Sequence, residues 1–457
     1  MLFTKDRGFY KSYFSLLFFI AFQNLLSFSV ALLDNAMLSR YSALALNGAT
    51  LANQIQFLLQ MVVVAAGEGV VVLGAQYWGT RRVSPLYSIS SIGLITGLFF
   101  GMLFLLLTSV MPVQILSLLS NDREIVASGC EYLKVIRFTY PVWCISTVIL
   151  AAQRSVENAK IGFAVMLSSL FVNLFFNYCL IYGHFGFPEM GIRGAAIATL
   201  IARCFELAVI LVYTFLTDRK LRLTPRRMFT FNSVLWRDYF KYATPIMLGG
   251  ASWGIAMFIQ TSIIGHMNAD AISANSLALS TFNVISVFAY GGGNAAGVLT
   301  GKLVGSKDSR LKEYVHTMQC LFLLTGIVTG LTIFALRMPV IRFYRLETEA
   351  AEAYARQFLL VLSITSVGTS YQAPCLTGIV RGGGLTKFVF YNDLIFQWGI
   401  VLLFSFLAAY VWKLEPVWVF LILKSDQLLK CAVAAFEVNR FTWIRDLTKG
   451  SKEDGTV

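Results

Sequence analysis

At 457 residues, with 57% hydrophobic and only 13% charged side chains, this chain departs from soluble proteins, in which charge makes up about a quarter of residues. Its net charge of +13 lies mostly in short loops between long apolar runs, so composition speaks against a soluble enzyme and against a nucleic-acid-binding domain. It points to an all-α membrane protein.

A helix needs about 20 apolar residues to cross a hydrocarbon core about 30 Å thick. Twelve such segments follow one another: 13 to 38, 44 to 77, 87 to 111, 127 to 151, 161 to 183, 191 to 215, 239 to 265, 272 to 301, 314 to 337, 355 to 378, 388 to 411 and 416 to 439. The second is longer than a bilayer is thick, so it must tilt, bend or protrude. The first is too long for the apolar core of a signal peptide, and Ala43-Leu44-Ala45, which resembles a cleavage site, has its counterpart Ala269-Asp270-Ala271 in mid-chain. It therefore reads as a span. The longest polar interval, Thr217 to Asp238, is too short to enclose a core and reads as a linker. The expected organisation is an N-terminal lobe over 1–216, a basic linker over 217–238 and a C-terminal lobe with a short tail over 239–457.

Ala36 to Gly79 returns 226 positions later, without a gap, as Ser262 to Gly305. In register, Ala43, Ala45, Leu51, Ala52, Gly67, Leu73 and Gly79 meet Ala269, Ala271, Leu277, Ala278, Gly293, Leu299 and Gly305. Arg154 with Lys160 and Phe163 recurs as Arg381 with Lys387 and Phe390. The chain is two copies of one unit. Six spans per copy is an even number, so both copies enter from the same face as parallel repeats, an arrangement of some secondary transporters with a central site.

Lys and Arg counted by side total 24 on the side holding both termini and 10 on the other, which assigns both termini to the cytoplasm. The densest cluster, Arg219, Lys220, Arg222, Arg226 and Arg227, lies between two spans and is suited to anionic lipid. The seven cysteines, an odd number, all lie in or beside apolar spans and read as reduced packing residues.

An acid near a helix centre costs about 2.5–3.5 kcal/mol unless it faces a partner or a cavity. Six acids fall within spans: Asp34, Glu68, Glu206, Asp393, Asp426 and Glu437. Glu206 can pair with Arg203 and Asp426 with Lys430 on their own helix faces. Glu437 can reach water or Arg440, and Asp393 can pair with Lys387. Glu68, between Gly67 and Gly69, is a candidate for cavity lining, as are Asn53, Gln54, Gln260 and Asn275. Asp34 has no basic residue one turn away. Asn173 and Asn177 share a face of the fifth span, the second at a depth similar to that of Asp34, so a carboxylate and two amides can converge in the outer half of the N-terminal bundle; the alternative is a cap-like or turn role for Asp34 at the end of the first span. A desolvated Asp34 can take a proton from outside; ringed by amide oxygens, the same three residues can hold Na+. The residues leave that choice open. The counterpart of Asp34 in the second copy is Gln260, which cannot titrate.

Asp34-Asn35-Ala36-Met37-Leu38-Ser39-Arg40 resembles the first-helix signature of the multidrug and toxic compound extrusion (MATE) transporters, and Leu73-Gly74-Ala75-Gln76-Tyr77-Trp78-Gly79 the end of their second helix. Asn173 to Asn177, Met190 to Ala196 and Arg381 to Lys387 fit as well. The resemblance implies two six-helix lobes around a V-shaped cavity, and export of cationic or amphipathic compounds in exchange for H+ or Na+. It also places Asp34, Asn173 and Asn177 on the family's N-lobe coupling cluster. Spans seven and ten lack the carboxylates that some members carry, which favours the N-lobe.

The expected function is therefore an ion-coupled exporter in the cell membrane, a monomer with small-molecule substrates and surrounding lipid as its partners and no cofactor beyond the coupling ion. A flippase for a lipid-linked saccharide is the alternative; it would need several cavity bases, and only Arg203, Lys424 and Lys430 lie inside spans. A membrane enzyme is disfavoured because His184, His266 and His316 lie apart.

Overall fold

The computed structural model describes residues 3–230, 232–346 and 348–449. Among these, every regular element is helical. The first half contains α1 (Arg7–Tyr41), α2 (Ala43–Gly79), α3 (Ser84–Val110), α4 (Pro112–Ser117), α5 (Arg123–Ile136), α6 (Thr139–Ser155), α7 (Lys160–Tyr182) and α8 (Gly191–Val212). The second contains α9 (Ser233–Gly265), α10 (Ala269–Ile285), α11 (Val287–Ser306), α12 (Leu311–Tyr344), α13 (Glu349–Ala373), α14 (Thr386–Leu394), α15 (Leu403–Phe406), α16 (Pro416–Leu423) and α17 (Asp426–Arg440). Wider π turns prolong α8 and α13 and link α14 to α15.

Among the described residues, nine helices are long and apolar enough to cross a membrane, and two bent pairs bring the number to eleven. The fourth expected span is the pair α5 and α6, bent by 55°. Pro141, in the first turn of α6, cannot donate to the carbonyl four residues back, so the helix breaks just before it. The twelfth expected span is not one helix. It divides into α16 and α17 at Lys424–Ser425, where Lys424, Asp426 and Lys430 interrupt the apolar run. The last residues of the expected tail, 450–457, lie outside the described residues.

The repeat is visible in detail. Helices α2 and α10 start at equivalent positions, Ala43 and Ala269, each behind a side-chain cap: Ser42 Oγ accepts from the Ala45 N–H at 3.4 Å and Asn268 Oδ1 from the Ala271 N–H at 2.6 Å. Their continuations differ. The 37-residue α2 is unbroken, whereas α10 and α11 bend by 45° at Ser286.

The chain forms two compact units, one of residues 22–247 and the other of residues 3–21 with Leu248–Lys449. The boundaries after Ala21 and after Met247 are 226 positions apart, the offset of the repeat itself. The linker 217–238 thus lies inside the first unit. Asp218 holds it there, accepting from Gln153 Nε2 at 3.1 Å and from the Leu221 N–H at 3.0 Å, while Leu221 and Leu223 are buried and the five clustered bases stay exposed.

Helices cannot gain from apolar burial inside lipid as they do in water, so close approach through small residues matters. Gly67 is such a point: a Cβ there would stand 3.1 Å from Ala151 Cβ on α6. Its repeat partner Gly293 does the same in the other unit, 3.3 Å from Pro374 Cα. The core of the first unit gathers Leu59, Val63, Leu133, Tyr140 and Ile181; that of the second includes Phe358 and Phe420, stacked with ring centres 4.2 Å apart.

Candidate functional site

Within the first unit, α1, α2, α5, α6, α7 and α8 enclose a cavity of about 590 Å³. Asp34 lines it, half-buried on α1. Asn173 and Asn177, one turn apart on α7, stand behind Asp34 and are almost fully buried. Asn177 Nδ2 donates to Asp34 Oδ1 at 2.5 Å and to Asn173 Oδ1 at 3.1 Å. Asn173 Nδ2 in turn donates to Thr199 Oγ1 on α8 at 3.5 Å. The three residues singled out in the sequence are thus in one hydrogen-bonded chain. The buried Oδ1 of Asn177 accepts no hydrogen bond, so a donor or a cation beside Asp34 would find an open ligand there.

The other charges of the lining are paired. Arg203 Nη1 lies 2.6 Å from Glu206 Oε2, as the i,i+3 spacing predicts, and Arg154 Nη2 lies 2.6 Å from Glu68 Oε1. Asp34 makes no ion pair within 4.0 Å among the described residues, and its hydrogen-bond partner is a neutral amide.

Asn53 and Gln54 line the cavity as expected. Glu68 does not. Gly67 occupies the lining face of α2, and Glu68, about 100° further round the helix, reaches instead to Arg154. Gln260 and Asn275 are buried in the other unit, on α9 and α10, and are not part of this lining. Six further amides of the lining, Gln23, Asn24, Asn35, Asn158, Gln56 and Gln60, are not among the site residues expected from the sequence. The signal for the last two was present: Asn53, Gln56 and Gln60 recur at three- and four-residue steps, a polar stripe on an otherwise apolar helix.

In the second unit, Asp393 pairs not with Lys387, which is exposed, but with Lys430 on α17 at 3.0 Å. Lys430 also holds Asp426 at 3.2 Å, the expected i,i+4 pair. Glu437 accepts from Thr442 Oγ1 at 2.7 Å. All seven cysteines are free thiols, four of them buried.

The model of the MatE family matches residues 20–179 and 245–407, once in each repeat. The chain belongs to the MatE family. A curated relative, "Probable multidrug resistance protein NorM" of Thermotoga maritima, is 29% identical over 336 residues, covering 72% of this chain and 71% of that protein. The protein of the same name from Halalkalibacterium halodurans is 28% identical over 380 residues, covering 79% and 78%. Among solved structures, a MATE transporter in complex with MaL6 superposes with a TM-score of 0.85 at 16% identity, covering 97% of both chains. A MOP superfamily transporter from Pyrococcus furiosus gives 0.84 at 17%, covering 98% and 97%. The likeness to these structures is one of fold. This MatE protein is a multi-pass membrane transporter of two repeated units.

Proposed function

We propose that this chain exports cationic and amphipathic small molecules in exchange for H+ or Na+, with Asp34 holding the coupling ion and the substrate's positive charge in turn. The observation that carries the reading is the electrostatic asymmetry of the cavity. Arg154, Arg203 and Glu206 each have an ion-pair partner, whereas Asp34 meets the cavity with only the Asn177 amide behind it. An unpaired intramembrane acid facing a polar hollow is suited to binding a cation reversibly. Asn173 and Asn177 supply the amide oxygens that Na+ would use, and the open Oδ1 of Asn177 is one of them.

The names of the curated relatives support multidrug compounds as substrates. A flippase for a diphosphate-linked saccharide is not favoured, because both arginines in the lining are already neutralised by glutamates. The excess of Lys and Arg on one side supports cytoplasmic termini in the cell membrane, and every lining residue of the cavity comes from one unit, which is consistent with action as a monomer.

One pH unit supplies about 1.4 kcal/mol per proton and 100 mV about 2.3 kcal/mol per charge moved. Exchange of one monocation for one proton would draw only on the first. The test is efflux of a fluorescent cation from vesicles of the reconstituted protein under separately imposed pH and Na+ gradients. The gradient that drives efflux names the ion, and Asp34→Asn abolishes the response. Unchanged gradient-driven efflux in that variant would remove Asp34 from the mechanism.

A further inference from the structure

Six amide side chains line the cavity without a hydrogen bond to the protein among the described residues: Gln23, Asn24 and Asn35 on α1, and Gln54, Gln56 and Gln60 on α2. Each offers two donors and an acceptor. Such groups are rare in membrane helices, and six of them line one hollow from two helices consecutive in the chain. Room is made for at least one: a Cβ on Gly162 of α7 would stand 2.6 Å from Gln23 Oε1, so glycine there is what lets the amide sit against that helix.

Resting on the reading of Asp34 above, we propose that the cavity selects a polyhydroxylated monoamine of the amino-sugar type, in preference to flat aromatic cations and to polyamines. A ligand entering the hollow strips water from these amides, and one that cannot replace the lost hydrogen bonds is rejected by the groups it leaves unpaired. Hydroxyl groups donate and accept, as amides do, so a sugar-like ligand meets all six. The charge pattern fixes the number of amines. Asp34 is the one lining carboxylate without a basic partner, and a second ammonium would face Arg154 or Arg203. A cavity of about 590 Å³ has room for a ligand of disaccharide size. Four aromatic side chains, Phe28, Phe57, Tyr132 and Trp143, also line it, which makes a flat aromatic monocation the stringent competitor.

The test is equilibrium binding to the purified full-length protein in detergent, by calorimetry, of three probes: 1-amino-1-deoxymaltitol, ethidium and the polyamine kanamycin. The aminomaltitol binds at least about tenfold tighter than either competitor, and Gln54→Leu with Gln60→Leu weakens it by about tenfold or more. Ethidium, which needs no amide, stays within about twofold or tightens in the double variant, which also shows that the variant is folded. Ethidium binding as tightly as the aminomaltitol to the wild-type protein, or an equal loss of both in the double variant, overturns the proposal. Asp34→Asn separates the two readings: if it leaves aminomaltitol and ethidium affinities unchanged, the role of Asp34 fails, while selection by the amides is still decided by the double variant.

Discussion

Asn177 donates its side-chain amide to Asp34 across 2.5 Å, although 143 positions separate them in the chain. The bond ties α7 to α1 at the one carboxylate of the cavity that has no cationic partner, and the same NH2 group also holds Asn173 at 3.1 Å. Asn177→Leu keeps the branched shape, with a larger volume, and removes both bonds. A hydrogen bond to a charged group is worth about 1.5–3 kcal/mol, so the initial rate of gradient-driven efflux should fall by about 10- to 100-fold if the bond positions Asp34 in transport. Rates within twofold of wild type would show that Asp34 needs no support from α7.

The pair of Glu68 and Arg154 joins α2 to α6, with side chains only 17% and 20% exposed. Glu68→Gln leaves a guanidinium of the cavity lining without its counter-charge, at a cost of about 1–3 kcal/mol. The expected result is a lower melting temperature in detergent. Exchanging the two charges in Glu68→Arg with Arg154→Glu restores most of it, because the attraction is symmetric while the packing is not. A swap no more stable than the single variant would mean that packing, rather than charge, is what the pair contributes.

What the sequence disclosed follows from periodicity. The 226-residue offset located equivalent helix starts at Ala43 and Ala269, and hydropathy placed most spans within a few residues. Local spacing gave the pairs Arg203 with Glu206 and Lys430 with Asp426, and the shared face of Asn173 and Asn177. It could not give Glu68 with Arg154, 86 positions apart, or Asp393 with Lys430, 37 apart, because such pairs depend on which helices become neighbours. Nearness in the chain points Asp393 to Lys387 instead, a base that is exposed. Beside Asn53 and Gln54, which stand out in the sequence, Gln56 and Gln60 are faint for another reason: a polar stripe two or three residues wide barely lowers the hydropathy of a 37-residue helix.

In the second unit, Lys430 is 5% exposed and holds two carboxylates at once, Asp393 and Asp426. Gln427 Nε2 adds a donor to Asp426 Oδ1 at 2.9 Å. Lys430→Met would leave the buried Asp426 facing Asp393 with the ammonium gone, and breaking such a pair costs about 3 kcal/mol or more. Removing all three charges, with Asp393→Asn and Asp426→Asn added, recovers much of the loss, since an uncharged cluster has no unbalanced ion to bury. Thermal melts of the single and triple variants check this; a triple variant less stable than Lys430→Met alone would contradict it.

The start of α1 is clasped to the start of α12, within one unit. Asp6 Oδ2 accepts from the Tyr314 hydroxyl at 2.7 Å and from Arg310 at 3.0 Å, while Asp6 Oδ1 caps the Gly8 N–H at 2.8 Å. The Tyr314 hydroxyl first, then the Gly8 N–H, with Arg310 adding attraction, hold the Asp6 carboxyl below its ordinary value of 3.8. A carboxyl whose value is lower folded than unfolded binds fewer protons in the folded state. Its contribution to stability is therefore fully present above the ordinary value and is lost as the pH falls through the lowered one. Asp6→Asn removes the charge at every pH. The melting temperature of the variant should lie below wild type at pH 6, and the gap should narrow as the pH is taken below the ordinary value of 3.8, because only the wild-type protein loses the clasp on acidification. A gap of constant size across that range would mean that the Asp6 charge does not stabilise the joint between these two helix ends.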